Sequence, residues 1–185
     1  MLEALSSRVC LCHPPLVGWE VTMIEVTLET IQVSLVSSHR IVVLKEIGAD
    51  RYLPIWIGPC EAEAISYGAK GVEVLRPLTH DLIVNILETL DAELLYIHVN
   101  ELANNTFYAN LVLLVDGEEV EVDVRPSDAI AVAVRLEVPI YVAPEVIEEA
   151  GVVPEPDIRE GAEGENLGVF RDFLSSLDFD ESKDN

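Results

Sequence analysis

The sequence has 185 residues, of which half are apolar and about a quarter are charged. This length and composition predict one compact domain with a substantial core, and they exclude disordered and collagen-like chains. No apolar run reaches the roughly 18 residues that a membrane-spanning helix needs, so no membrane partner is expected.

Charge is the unusual property of the chain, with 34 acidic and 11 basic residues and a net charge of −23. Such a surface repels phosphate backbones at long range, which disfavours tight, non-specific binding of nucleic acid. A nucleic-acid enzyme is still compatible with this charge, because a metal site needs carboxylates and substrate affinity can be weak. The three cysteines form an odd set without a disulfide framework, which predicts a reducing, cytoplasmic location.

Three segments are expected along the chain. Residues 1–22 lack the charged start and continuous apolar stretch of a secretory signal, and we interpret them as a leader or disordered arm. Residues 23–150 carry the regular patterning and are predicted to form the domain. Residues 151–185 contain an acidic, Pro- and Gly-containing linker and then apolar residues at helical spacing, which predict a short amphipathic helix. The apolar residues of that helix are Leu167, Phe170, Phe173, Leu174 and Leu177.

Strands and helices of the domain follow from apolar periodicity and turn residues. In chain order, we expect strands at 24–31, 40–47 and 52–57, a helix opened by Gly58-Pro59, a helix at 79–90, strands at 94–99, 106–115 and 120–124, a helix at 127–136 and a strand at 139–142. The helix at 127–136 is apolar almost all round, which predicts burial on most sides. The fold class is therefore α+β, a largely antiparallel or mixed β-sheet covered by helices, in a single domain with an acidic C-terminal tail.

Two segments repeat one pattern, Arg76-Pro77-Leu78-Thr79-His80-Asp81 and Arg125-Pro126-Ser127-Asp128. Each places Arg-Pro before a hydroxyl residue and an Asp, at the start of a predicted helix. A purely structural interpretation explains both, since Thr79 and Ser127 are suitable N-caps and an Asp in the first turn complements the helix dipole. On that interpretation, Arg–Asp pairs connect the strand ends to the helices.

The same residues also support a functional interpretation. A helix N-terminus attracts phosphate, and Arg76 and Arg125 are suited to bind a phosphate group through two hydrogen bonds each. His80, Asp81 and Asp128 would then supply a base or metal ligands, and we take these five residues as candidate catalytic residues. We expect the two Arg-Pro segments to lie side by side.

Further carboxylates make a divalent cation the candidate cofactor. Glu61 and Asp123, on the same side of the domain as Asp81, would form an oxygen-rich cluster suited to Mg²⁺ or Mn²⁺. Cys60 is expected to be a small buried residue, and the aromatic side chains of Phe107 and Tyr108 are expected in the core.

Together these motifs resemble the bifunctional nuclease domain family. The resemblance runs from about Ile24 to Val142 and rests on five motifs in order. They are Pro54-Ile55-Trp56-Ile57-Gly58, Glu61, Arg76-Pro77-Leu78-Thr79-His80-Asp81-Leu82, Asn105-Thr106-Phe107-Tyr108-Ala109 and the segment from Asp123 to Ile130. The resemblance implies an α+β domain, a homo-oligomer, and hydrolysis of phosphodiester bonds in RNA and DNA, with weakly bound nucleic acid as the partner.

Two functions from different classes therefore remain open at this stage. The resemblance favours a nuclease assisted by a metal ion. The acidity of the chain and the absence of a groove of basic and aromatic residues favour a non-catalytic regulatory or binding module for an anionic small molecule or a protein partner. Metal-dependent cleavage that is lost on replacing the carboxylates would distinguish the two.

The sequence also predicts that residues 1–22 are dispensable, because they lack a periodic apolar pattern and precede the first strand. A chain that begins at Met23 should keep its melting temperature and its oligomeric state. Calorimetry and light scattering measure these two quantities, and a large fall in either would show that the segment is structural.

Overall fold

Seven strands form one mixed sheet in the computed structural model, which describes residues 23–33 and 40–154. The strands are β1 (Ile24–Val33), β2 (Arg40–Glu46), β3 (Tyr52–Ile57), β4 (Glu93–Ala103), β5 (Thr106–Val115), β6 (Glu118–Val124) and β7 (Ile140–Val142). Their order in the sheet is β3-β2-β1-β7-β4-β5-β6. All neighbouring pairs are antiparallel except β4 and β7, which are parallel.

Four helices accompany this sheet: α1 (Pro59–Ala69), α2 (Thr79–Thr89), α3 (Pro126–Leu136) and α4 (Pro144–Ala150). Helix α3 contacts β4 and β5, and both α1 and α2 pack against α3. The α+β prediction of a largely antiparallel sheet covered by helices is thus confirmed. None of the helices in the described ranges is long and apolar enough to cross a membrane.

The core lies between the helices and the sheet, and α3 is its most buried element. Ala129, Ile130, Ala131 and Ala133 have no exposed surface, and Val132 has almost none. The prediction that this helix is buried on most sides is confirmed. Helix α1 approaches α3 closely at Gly68, because an added Cβ there would lie only 2.7 Å from Val134 Cγ2.

The turn that connects β5 to β6 is explained by the conformations of its two residues. Asp116 and Gly117 both have positive φ, at 52° and 84°, which is the conformation of a type I′ hairpin turn. An Asp-Gly pair between two strand-like segments predicts such a hairpin from sequence, and the pairing of β5 with β6 confirms it. Asn104 and Asn105 also adopt positive φ between β4 and β5, a conformation that asparagine tolerates better than most residues.

Several details differ from the sequence-based expectations. Helix α4 was not predicted, because Pro144–Ala150 is short and acidic and resembles a linker in composition. Cys60 is exposed, since it occupies the outer side of the first turn of α1. Tyr108 is 40% exposed, because it projects from the face of β5 opposite the core residue Ala109. The predicted arm at 1–22 and the amphipathic helix around 167–177 lie outside the described residues.

The burial of α3 predicts a large stability cost for shortening Ile130. Ile130→Ala should lower the free energy of unfolding by about 2–5 kcal/mol, because it leaves a cavity among fully buried neighbours. Urea denaturation measures this change. Val120→Ala, at a position 42% exposed on β6, serves as the control and should cost less than about 1 kcal/mol. A loss below about 1 kcal/mol for Ile130→Ala would contradict the central position of α3.

Candidate functional site

Helices α1, α2 and α3 begin in the same way, and their first turns carry the candidate residues. The residue before each helix is extended, and α1 and α3 have proline at the first position. Proline at this position costs no hydrogen bond, because the N–H that it lacks would have no partner within the helix, and its φ is already helical. Each helix has an acidic residue in its first turn, namely Glu61, Asp81 and Asp128. A carboxylate is favourable there because the first turn leaves N–H groups unpaired and partly positive.

Four side chains from these three first turns form one connected network, here called the N-terminal cluster: Glu61, His80, Arg125 and Asp128. Arg125 donates from Nε to Asp128 Oδ2 at 2.6 Å and from Nη2 to Asp128 Oδ1 at 3.0 Å. The same Nη2 lies 3.1 Å from Glu61 Oε1. His80 Nε2 lies 3.1 Å from Asp128 Oδ1. The starts of α1, α2 and α3 therefore meet at Asp128 and Arg125.

Electrostatics sets the protonation of this cluster. Burial alone would raise the pKa of Asp128, but hydrogen bonds from Arg125 and His80 outweigh burial and lower it. The hydrogen bonds of Asp128 also raise the pKa of Arg125. Because an ionised Asp128 only accepts hydrogen bonds, Nε2 of His80 must carry the proton that it donates. With one proton on the ring, the other ring nitrogen, Nδ1, keeps a lone pair.

Exposure differs among the members of the N-terminal cluster. The His80 side chain is 11% exposed and Asp128 and Glu61 are each 20% exposed, whereas Arg125 is 65% exposed. Arg125 Nη1 makes no hydrogen bond to the part of the chain that the structure describes. The cluster thus combines a largely buried His–Asp pair with an arginine that has a free donor at the surface.

A second ion pair lies on the other end of α3. Arg135, in the last turn of that helix, donates from Nε to Asp81 Oδ1 at 2.6 Å. Its Nη1 donates to the carbonyl oxygens of Ala64 at 3.0 Å and Ala131 at 2.6 Å. Asp81 Oδ2 also accepts from the backbone N–H of Leu78 at 2.8 Å. The hydrogen bond from Arg135 lowers the pKa of Asp81 and, with that from Leu78, outweighs its burial.

The two Arg-Pro segments therefore differ in structure despite their shared pattern. Arg125 pairs with Asp128 of its own segment, as the structural interpretation expects. Asp81 pairs with Arg135 instead, and Arg76 is exposed without an ion pair to another described residue.

The N-caps also differ from the expectation. They are Leu78 and Arg125, not Thr79 and Ser127, because Thr79 is already the first residue of α2 and Ser127 is the second residue of α3. Pro126 fixes the start of α3, and the bond between Asp81 and the backbone of Leu78 fixes that of α2. Neither helix is therefore capped by a hydroxyl side chain.

The two candidate metal ligands, Glu61 and Asp123, lie in different environments. Glu61 is held by Arg125, and Asp123 is exposed on the edge strand β6. No group of three or more His, Cys, Asp or Glu side chains among residues 23–33 and 40–154 is arranged to hold a metal ion. Since both carboxylates of the N-terminal cluster bind Arg125, the donor set in this arrangement does not fit a divalent cation.

Sequence reasoning missed Arg135. The signal was available, because Arg135 is the one charged residue within the otherwise apolar stretch from Ala129 to Leu136. Its side chain is 10% exposed, and a charge so buried needs a partner. The partner, Asp81, is 54 residues away in sequence, so no local pattern connects the two.

Comparison with known proteins agrees with the family that the sequence motifs indicate. The model of the bifunctional nuclease domain matches residues 42–155, which is more than half of the chain. The chain belongs to the bifunctional nuclease domain family. An uncharacterized protein of Mycobacterium tuberculosis is 38% identical over 163 residues, which cover 86% of this chain and 98% of that protein. The family predicted from the sequence is thereby confirmed.

Plant members of the family are more distant. Bifunctional nuclease 1 of Oryza sativa is 29% identical over 107 residues, which cover 56% of this chain and 32% of that protein. Bifunctional nuclease 2 of Arabidopsis thaliana is 31% identical over 108 residues, covering 56% and 33%. The chain therefore aligns with about a third of the length of each plant relative.

The Asp81–Arg135 pair predicts a pH-dependent contribution to stability. Because the pKa of folded Asp81 is below its ordinary 3.8, the contribution is present above pH 3.8 and is lost as the pH falls through the folded value. Asp81→Asn should lower the free energy of unfolding by about 1–3 kcal/mol near pH 7. The difference from the unsubstituted protein should shrink in acid.

Urea denaturation at several pH values measures this effect. Glu119→Gln, which removes an exposed carboxylate on β6, is the matched control and should change stability little at any pH. An Asp81→Asn cost that stays constant down to the lowest pH would contradict the role of the ionised carboxylate.

Proposed function

We propose that this protein hydrolyses phosphodiester bonds of RNA or DNA, and that the N-terminal cluster is its active site. One observation carries the proposal: a buried histidine paired with a partly buried carboxylate, beside an exposed arginine, where three helices begin. Membership of the bifunctional nuclease domain family and plant relatives named bifunctional nucleases support it.

Arg125 is the residue suited to bind the phosphate group. Its free Nη1 and its 65% exposed side chain can donate to a non-bridging oxygen without breaking the bonds to Asp128. The positive ends of the nearby helices add to this attraction, each equivalent to about half an elementary charge. Both contributions stabilise the charge that develops on phosphorus oxygens in the transition state.

His80 is the residue suited to remove a proton from the attacking water. Asp128 accepts from Nε2, which fixes the ring and leaves the lone pair of Nδ1 for the proton. Asp128 also stabilises the positive charge that forms on the ring. Glu61 holds Arg125 from the other side and acts as a positioning residue.

The remaining candidates have weaker geometric support. Arg76 is an exposed cation that could contact a neighbouring phosphate of the same strand, and Asp81 positions the start of α2 through Arg135 and Leu78. Because the cluster does not fit Mg²⁺ or Mn²⁺ in this arrangement, we assign no step to a metal ion. We further propose a cytoplasmic homo-oligomer that binds nucleic acid weakly, consistent with its net charge of −23.

A non-catalytic binding module is the second candidate function. The observation that favours it is that Arg125 is held by two carboxylates, so the cluster carries a net charge of −1 when His80 is neutral. Such a network holds the three helices together, and this structural role requires no catalytic activity. On this alternative, an anionic small molecule or a protein partner would bind at Arg125 and nothing would be cleaved.

Cleavage of short labelled RNA and single-stranded DNA tests the proposal. The full chain should cleave at least one of them, and His80→Ala should lower the turnover rate by about 100-fold or more, with a smaller effect on affinity. Arg125→Gln should lower both turnover and affinity, because it removes the phosphate ligand. Parallel reactions with Mg²⁺, Mn²⁺ or a chelator measure the dependence on a metal ion.

Arg51→Gln is the matched control, because it removes an arginine from another ion pair, with Glu46 at 2.6 Å. This variant should cleave as the unsubstituted protein does. Circular dichroism confirms that each variant is folded. Full cleavage by folded His80→Ala and Arg125→Gln would contradict the proposed site, and binding without cleavage by the unsubstituted protein would favour the binding module.

A further inference from the structure

Helix α2 exposes an apolar stripe, here called the α2 apolar face: Leu78, Leu82, Ile86 and Leu90. These residues recur every fourth position and are 38%, 52%, 46% and 67% exposed. The other side of α2 already packs on the core through Ile83, Val84 and Leu87. A row of large apolar side chains that faces water on a helix is typical of a docking surface.

A pocket lies at the N-terminal end of this face. It has a volume of about 160 Å³, with apolar walls from Val72, Val74 and Leu78 and the Asp81–Arg135 pair at its polar side. An apolar cavity of about 150 Å³ is large enough to bind benzene. The pocket here is partly polar and open to solvent, and its volume leaves room for one aromatic ring from whatever covers the face.

The charge around the pocket is unusual for this chain. Lys70 and Arg76 border the segment that forms the pocket, and neither makes an ion pair with a residue that the structure describes. Glu73 is the acidic residue between them, so the segment has a net charge of +1 in a protein of net charge −23. The N-terminal end of the α2 apolar face is therefore complementary to an acidic partner, whereas Glu88 and Asp91 make its other end acidic.

We propose that residues 167–177 of the same chain dock on the α2 apolar face as an amphipathic helix. Their apolar residues recur at helical spacing, and two of them, Phe170 and Phe173, are aromatic residues of the size that the pocket accepts. Eleven helical residues span about 16 Å, which covers most of the roughly 18 Å from Leu78 to Leu90 at 1.5 Å per residue. Acidic residues flank the segment in sequence, and in the docked arrangement those near the positively charged end of the face would be attracted to it.

The connection to the domain is long enough for this docking. The described chain ends at Pro154, so the 12 residues 155–166 connect it to Leu167. Extended, they reach about 40 Å, more than the roughly 35 Å diameter of a domain of this size. The tether also gives the segment an effective concentration of about 1 mM at the face, which favours it over a second, equally acidic copy.

Docking would also affect Arg76. This consequence depends on the proposed function, since Arg76 is a candidate phosphate ligand there. Acidic residues next to the docked segment would compete with a phosphate backbone for this side chain. The docking itself is tested below without any measurement of cleavage, so that its failure is distinguishable from failure of the proposed nuclease.

Hydrogen–deuterium exchange of the full chain tests the docking. Phe170→Asp and Phe173→Asp should each accelerate exchange in residues 72–90 by about tenfold or more, because each places a charge where an aromatic side chain is buried. Phe179→Asp, in the same tail but off the apolar stripe, is the matched control and should leave exchange there unchanged. Leu82→Asp on the α2 apolar face should accelerate exchange in residues 167–177.

The dependence of exchange on protein concentration, together with the oligomeric mass, shows whether the tail or a second copy of the chain covers the α2 apolar face. Docking within one chain predicts protection that is independent of protein concentration. Unchanged exchange in both tail variants would overturn the proposal. Loss of protection on dilution, or a lower oligomeric mass for Leu82→Asp with no effect of the tail variants, would also overturn it and would identify an interface between copies.

Discussion

The burial of α3 is the constraint on which the rest of the structure depends. This helix lies on β4 and β5 with α1 and α2 packed against it, and seven of its eleven residues are buried. The close contact with α1 is possible because Gly68 has no side chain where Val134 approaches. With so little freedom to move, α3 fixes the positions of Asp128 near its start and Arg135 near its end.

These two charges determine how the helices around α3 are held. Asp128 and its neighbour Arg125 connect to His80 of α2 and Glu61 of α1, whereas Arg135 connects to Asp81 of α2. Individual ion pairs at the surface stabilise a fold little, but partly buried pairs are costly to break. The polar contacts therefore determine the relative positions of the helix starts more than they determine total stability. A fixed geometry of His80, Asp128 and Arg125 is what catalysis requires.

Much of the fold was predictable because local patterns determine it. The residues of β3 and β5 and the turn at Asp116 and Gly117 agree with the sequence-based expectation, since alternation and turn residues act over short distances. Helix α3 was predicted from its apolar residues alone. Helix α4 was not, because a seven-residue acidic segment gains its helical structure from packing of Val146 and Ile147 rather than from its own pattern.

The sequence predicted which residues form the candidate site, but not which of them pair with each other. The repeated Arg-Pro pattern identified Arg125, Asp128 and His80, which the structure brings together. The same pattern implied that Arg76 and Asp81 would behave alike, but Asp81 bonds to Arg135, 54 residues away. Partners at such a distance depend on the tertiary fold, which explains why two similar segments have different environments. The chemical roles of these residues remain a prediction.

The most direct test of the account follows Arg125 and His80 by NMR during titration with a short phosphorothioate oligonucleotide, which resists hydrolysis. The account predicts that the Arg125 Nε–H signal and the His80 ring signals shift with saturation, and that the shifts weaken as salt is added. The signal of Arg51, whose ion pair lies elsewhere, should stay constant. Unchanged Arg125 and His80 signals at saturating oligonucleotide would contradict the claim that nucleic acid binds at the N-terminal cluster.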